Sequence, residues 1–364
     1  MKTKLKTKTS TAIPTLQKGI KLDKIPYLFK NVDLPYDVPI SSKIEAVEGS
    51  FVVVKVLESE GKKDDLDYST GRLGKVVKGD IIPGVLSYRS ALVEFAGTIP
   101  EKVSVGDKLS LLCESGMIGA IAGVYESWGK PIECEILGAI VDKNGKNMNL
   151  KNYTIPVPTS KKSMIPIIGL LGTKMDCGKT TIGCKIINYA KNKGMKVAAL
   201  KLTGAAFSQD LYKLKEFGAY PVYDYVDMGL PSTCGPNGAE AVVTSTKNLI
   251  TLAKASNPDL IVIEFGDAVI GKYHVADILK NKEIISQVSS FILAASDLVA
   301  VSGAKEILAK TYGIKIAMVT GPVVNSKAGV AYVKEYFNLN GESNQHEIPN
   351  TAALVDSLLK KSKK

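Results

Sequence analysis

Ile165-Pro166-Ile167-Ile168-Gly169-Leu170-Leu171 runs straight into Gly172-Thr173-Lys174-Met175-Asp176-Cys177-Gly178-Lys179-Thr180-Thr181, and a helix-like segment, Ile182 to Lys193, follows without a break. An apolar run that delivers a tight, glycine-bounded turn to the start of a helix is the layout of a phosphate-binding loop. Backbone N–H groups inside the turn face the anion, and the helix presents its positive N-terminal end to the same charge. In this reading Gly178 lets the backbone approach closely, Lys179 reaches the β- and γ-phosphates, and Thr180 offers its hydroxyl to Mg²⁺. Asp176, Cys177 and Thr181 complete the backbone around the phosphates. The pattern G-x-x-x-x-G-K-[ST] is met with one departure, Thr173 at the first glycine position with Gly172 one residue earlier. Thr173-Lys174-Met175-Asp176 also fits the [NT]-K-x-D pattern that reads guanine in many GTPases. Residues that wrap the phosphates cannot also reach the base, so that match is read as coincidence.

The chain has 364 residues, enough for two domains each with its own core. Hydrophobic residues at 45% and charged residues at 23% describe a soluble globular protein rather than a disordered or fibrous one. No apolar stretch reaches the roughly 18–20 residues that span a bilayer. The basic start, Met1 to Lys8, lacks the apolar segment of a signal peptide, so a cytoplasmic location and no membrane contact are expected. The net charge of +11 suggests nucleic acid until it is located. Seven lysines against one acid lie between Met1 and Lys24, and Lys360, Lys361, Lys363 and Lys364 add four more, so the two ends hold ten of the eleven charges. The body is nearly neutral and carries no recognition motif, which argues against specific nucleic-acid binding. Cys113, Cys134, Cys177, Cys184 and Cys234 contain no C-x-x-C pair, and His274 and His346 are the only histidines, so a structural zinc site is not expected.

Residues 1–30 read as a basic extended lead-in. From 31 to 152 the texture is of short β-rich runs: Ser50–Leu57, Lys75–Val77, Ile81–Val85, Ser90–Phe95, Lys108–Leu112, Ile118–Val124 and Ile132–Val141. Their spacing predicts a small all-β domain, a barrel or a sandwich. Val77-Lys78-Gly79-Asp80-Ile81 and Val105-Gly106-Asp107-Lys108-Leu109 both place Gly-Asp in a turn that launches a strand. Arg89, one of two arginines beside Arg72, offers a fixed fork for a carboxylate or phosphate, although an ordinary surface arginine is the expected reading. A Pro- and Lys-rich linker at 153–163 leads to the segment 164–364, where strands are expected at Pro166–Leu171, Lys196–Leu202, Val222–Val226, Leu260–Phe265, Leu298–Ser302 and Lys315–Val319, with helices between them. Such alternation predicts a doubly wound, mainly parallel α/β sheet.

Ligands of these sheets lie at the carboxyl ends of the strands. Glu264, directly after Leu260-Ile261-Val262-Ile263, and Asp210, opening a helix after Ser208-Gln209, are the candidate carboxylates for a Mg²⁺ held by Thr180. Lys201 ends a strand that should be buried, so its ammonium is expected in the crevice against a substrate anion. Lys174 is a second lysine within reach of the same polyphosphate, or of a neighbouring subunit's. The Gly/Pro-rich stretch 227–238 is a loop long enough to be functional, with Ser232 and Thr233 as candidate substrate contacts. Cys234 has no histidine near it in sequence and is not expected to be a nucleophile.

Together these pieces resemble the dethiobiotin synthetase family of P-loop NTPases over roughly residues 165–337. The likeness rests on the Gly172-Thr173 opening of the loop, on Lys201-Leu202-Thr203-Gly204 followed by Asp210, on Val262-Ile263-Glu264-Phe265-Gly266, and on Leu298 to Gly303 as a later strand and its turn. Thr320 to Asn325 falls where that family contacts the base. The resemblance implies ATP and Mg²⁺, phosphoryl transfer to a carboxylate or carbamate, a homodimer, catalytic roles for Lys179, Lys201 and Lys174, metal binding by Asp210 and Glu264, and nucleotide contact by Asn325. Phe265, Asp267 and the missing proline after Lys201 depart from the pattern, so dethiobiotin synthesis itself is not expected. The leading expectation is an ATP- and Mg²⁺-dependent kinase- or ligase-like enzyme that activates a small carboxylate-type substrate. The alternative is a nucleotide-dependent switch or assembly ATPase of the partitioning and metal-insertion type, which the position of Lys174 also suggests.

Overall fold

The structure, a computed structural model, describes residues 17–58, 64–159, 164–236 and 238–362. Lys2, Lys4, Lys6 and Lys8, the linker's end at 160–163, Asn237, Lys363 and Lys364 lie outside the described residues.

The first half is mainly antiparallel. Its strands are β1 (Gln17–Lys21), β2 (Asp37–Ser41), β3 (Phe51–Val56), β4 (Asp65–Asp67), β5 (Leu73–Lys75), β6 (Ile81–Leu86), β7 (Arg89–Ser90), β8 (Phe95–Thr98), β9 (Lys108–Cys113), β10 (Met117–Val124) and β11 (Ile132–Ile140). β3 pairs with β6 and β11, β6 runs parallel to β10, and β9 bridges β10 and β11. Those pairings close a ring of five strands, a small barrel. Along β11 the buried Ile132, Cys134 and Ile136 alternate with half-buried neighbours, the period-2 pattern of a strand with one wet face. β3 has no wet face for most of its length. Val52, Val54 and Val56 fill the barrel interior, while Phe51 and Val53 join a second cluster that also contains Leu211, Tyr225 and Val226 of the other half.

Both Gly-Asp turns form as expected. Gly79 and Gly106 take φ of +95° and +89°, and Asp80 and Asp107 each accept a backbone N–H three residues earlier, from Val77 and Ser104, at 2.7 Å. Two expectations shift. The run Ser90–Phe95 is not one strand but a turn between β7 and β8, and Gln17–Lys21, inside the expected lead-in, pairs with β2. Leu22, Tyr27, Leu28 and Phe29 are buried. The surrounding lysines mask this apolar cluster when composition alone is read.

The second half contains β12 (Ile167–Gly172), α1 (Lys179–Asn192), β13 (Val197–Lys201), α2 (Ser208–Glu216), β14 (Val222–Asp224), α3 (Ala239–Ala255), β15 (Leu260–Glu264), α4 (Val275–Lys280), α5 (Lys282–Ile285), β16 (Ser290–Ala294), α6 (Leu298–Tyr312), β17 (Ile316–Thr320), α7 (Lys327–Phe337), β18 (Asn340–Gly341) and α8 (Pro349–Ser362). The strands form one parallel sheet in the order β14-β13-β15-β12-β16-β17-β18. Ile167 and Leu171 of β12 pack with residues of α3 and α6, while Ile168 and Leu170 pack with α1 and α8, so helices cover both faces. This is a doubly wound parallel sheet behind an antiparallel β region, and it resembles a P-loop NTPase domain. One expected strand is wrong. Leu298–Ser302 is the first turns of α6, because Asp297 caps it by accepting the Ala300 N–H at 2.9 Å, and the strand lies earlier, at Phe291-Ile292-Leu293-Ala294. The part of the family likeness that rested on Leu298 to Gly303 falls with it.

Candidate functional site

Lys179 leaves the first turn of α1 and folds back into the loop, where its ammonium donates to the carbonyls of Lys174 (3.0 Å) and Asp267 (2.7 Å). Gly172 makes that path possible, since a Cβ there would lie 2.8 Å from the ammonium and 2.7 Å from the Cys177 thiol. Gly178 takes φ +100°, the left-handed turn that glycine tolerates. Among the described residues, the N–H groups of residues 175–181 donate to no protein acceptor. A run of inward N–H groups without partners, at a helix N-terminus, fits a polyphosphate.

The neighbouring strand supplies the carboxylate. Leu170 of β12 is in register with Glu264 of β15, which in turn is in register with Lys201 of β13. Thr180 Oγ1 donates to Glu264 Oε2 at 2.9 Å. Burial raises the Glu264 carboxyl above its ordinary value and Asp210 adds to this, against the opposing pull of Lys179 and Lys201. Lys201 is buried and its ammonium pairs with the Asp210 carboxylate. Burial works against that charge, but Asp210 and Glu264 together hold its pKa above the usual lysine value. Among the described residues no group of three or more His, Cys, Asp or Glu side chains could hold a metal by itself. A Mg²⁺ ion would therefore rest on Thr180 and Glu264, with Asp210 one step away at Lys201, and on oxygens of nucleotide and water.

These groups open on one cavity of about 500 Å³. Residues 175–181 line one end of it, and Lys201, Asp210 and Glu264 line it too. Asn325 lies at the same end, where it accepts the Ser343 hydroxyl at 3.0 Å. Asn344 and Gln345 also line it, and Asn344 donates to Gly178 O at 3.3 Å. No motif announces those two. Three expected loop residues stand apart from the wall: Gly172 is buried beside Lys179, Lys174 has an exposed side chain, and the Thr173 hydroxyl accepts from Ser296 N at 3.3 Å.

The first half adds Arg89 of β7 and Glu94, in the turn before β8, to the cavity wall. Arg89 is no surface arginine: it is buried, donates to Leu112 O, pairs with Glu94 and lines the cavity. Asp67, at the end of β4, accepts both the N–H of Ser208 (2.6 Å) and its hydroxyl, so a carboxylate of the first half caps α2 two residues before Asp210. The cap has no sequence signal, because Asp67 and Ser208 are 141 residues apart. In the loop 227–238, Ser232 and Thr233 are buried braces, Thr233 accepting from Gly204 N at 3.0 Å and donating to Tyr273 O at 3.1 Å. Burial pushes the Cys234 thiol up to about 11, which disfavours the thiolate. The nearby His274 spends its Nε2 on Gly235 O at 2.9 Å.

No protein-family model matches the chain, and no curated protein does. Among solved structures it is similar to the signal recognition particle receptor FtsY from Elizabethkingia anophelis, with 18% identity over 56% of this chain and 68% of that one and a TM-score of 0.34. Chloroplast FtsY from Physcomitrella patens gives 16% identity over 57% and 70%, TM-score 0.34. The signal recognition particle 54 kDa protein from Aeropyrum pernix K1, in complex with GDP, gives 19% over 56% and 50%, TM-score 0.33. So low an overlap carries no argument about ligand or chemistry. The fold assignment stands on the parallel sheet, the loop and α1. No helix among the described residues is long and apolar enough to cross a membrane.

Proposed function

We propose that this protein is an ATP- and Mg²⁺-dependent enzyme that transfers or hydrolyses the γ-phosphate to activate a small carboxylate-type substrate. The observation that carries this reading is the convergence of Lys179, the Thr180–Glu264 pair and the Lys201–Asp210 pair on one cavity that Arg89 of the first half also lines. Phosphoryl transfer asks a protein mainly for position and charge, because the transferred group carries most of its own reactivity. Lys179 neutralises charge as it shifts between the β- and γ-phosphates. Thr180 and Glu264 hold the metal side of the triphosphate, whose Mg²⁺ supplies charge neutralisation when bound. Lys201, steadied by Asp210, directs the acceptor oxygen toward the phosphorus. Adenine is favoured over guanine by the family resemblance alone, and competition between ATP and GTP decides it.

Purified protein is expected to turn over Mg–ATP slowly alone and faster with its substrate. Lys179→Ala should lower turnover by about 100-fold or more with an unchanged circular-dichroism spectrum, and equal turnover ends the reading. The exposed Lys174 side chain at the rim of the loop favours a second reading, a nucleotide-dependent switch in which a second copy meets the loop. A dimer formed only with a non-hydrolysable ATP analogue, with no stimulation by small carboxylates, selects the switch.

A further inference from the structure

Arg89 carries the barrel's buried guanidinium at the cavity wall, where it is 3% exposed. It is fixed from three directions. Nη1 donates to the Leu112 carbonyl, Nη2 pairs with a Glu94 carboxylate oxygen, and Cζ lies 5.8 Å from the centre of the Phe207 ring. Nε is buried with no hydrogen-bond partner among the described residues. Nε and Nη2 form the side-on edge of a guanidinium, a fork that suits both oxygens of one carboxylate. Glu94 takes only the Nη2 half of it.

Glu94 is itself held unusually. It has φ +105°, a left-handed backbone that a residue with a Cβ adopts only under constraint, and it ends a turn whose Leu92 is 80% exposed. A buried arginine needs an anion against it in every state. We propose that Glu94 stands in for the substrate's carboxylate, and that Arg89 is the residue that reads that carboxylate at the barrel end of the cavity. A small carboxylic acid would take both Nε and Nη2, release Glu94 with its strained turn, and leave the Leu112 and Phe207 contacts as they are. Its other end would extend past Phe207 toward Lys201 and the phosphate loop, which line the same cavity. A carboxylate fits better than a phosphate, because the position already accommodates a planar monoanion and the nearby Glu114 opposes a second negative charge. The direction in which the substrate lies rests on the proposed function; the anion subsite itself does not.

The test is calorimetric titration of the intact chain with succinate, glutarate, L-glutamate and inorganic phosphate, each with and without Mg²⁺ and a non-hydrolysable ATP analogue. At least one carboxylate is expected to bind more tightly than phosphate. Glu94→Gln should tighten it threefold or more by weakening the internal competitor, and Arg89→Lys should weaken it tenfold or more by removing the fork. The proposal is overturned by equal carboxylate affinity in Arg89→Lys, by unchanged or weaker binding in Glu94→Gln, by tighter phosphate than carboxylate binding once the nucleotide analogue occupies the loop, or by no carboxylate binding to wild type. If Arg89→Lys does not fold, the sign of the Glu94→Gln effect decides. Carboxylate binding that persists while the nucleotide analogue fails to bind would sink the phosphoryl-transfer reading and leave this subsite standing.

Discussion

The two ends of the cavity are built on opposite plans. At the phosphate end one continuous stretch, residues 172–181, supplies the loop, the lysine and the hydroxyl, and the adjacent strand adds Glu264. At the barrel end Asp67, Arg89 and Glu94 come from the first half, and Phe207, Ser208 and Tyr273 from the second. The first plan offers anion-binding groups that the local backbone has already placed. The second depends on long-range pairs in which each buried charge needs its partner. Chemistry should therefore be separable from stability at the phosphate end and entangled with it at the barrel end.

Glu264→Gln is the strongest way to break that contrast. It keeps the shape of the side chain but removes the anion that faces Thr180, so turnover is expected to fall by about 100-fold while the melting temperature holds or rises, since a buried carboxylate with an upward-shifted pKa has been removed. A loss under threefold, or a collapse of stability, would show that the two ends are not built differently. Asp67→Ala probes the other plan. It strips the cap from α2 and leaves the Ser208 N–H and hydroxyl without their acceptor, at a cost of about 1–3 kcal/mol in urea unfolding. Substrate stimulation should weaken with it, because Asp210 rides on the same helix; a stability change below about 0.5 kcal/mol would mean the cap contributes little.

The smallest effect concerns Glu48, which lies between the halves near His274 and Cys234. Burial holds its carboxyl up to about 7, with His274 and a Tyr88 backbone hydrogen bond pulling the other way. A carboxyl raised in the fold contributes stability that is complete below its ordinary pKa of 4.5 and is lost as pH rises through about 7. Glu48→Gln stays neutral throughout, so the wild-type stability relative to this variant should decline steadily as pH rises from 4.5 to about 7. Parallel profiles for the two proteins would contradict the assignment.

The contrast also explains what the sequence reveals. The loop, the sheet class and the strands ending at Lys201 and Glu264 are legible because each is a short segment whose residues act on one another. Leu298–Ser302 reads as a strand in place of Ser290–Ala294 because a β-branched apolar run resembles a strand until the Asp297 cap is weighed. β1 and the buried Tyr27-Leu28-Phe29 are hidden by the lysines around them, and Arg89 looks like surface because its partners Leu112 and Phe207 are not its neighbours in sequence. Asp67 is illegible for the same reason, since a cap across 141 residues leaves no local pattern.

β3 sends alternate residues to two interiors, Val52 and Val54 into the barrel and Phe51 and Val53 toward Tyr225 and Val226. One ribbon thus serves as a party wall, and neither dwelling stands without it. Cutting the chain at the Pro-rich linker would strip a greasy face bare on each fragment, so the two halves should melt in a single transition and resist being produced apart.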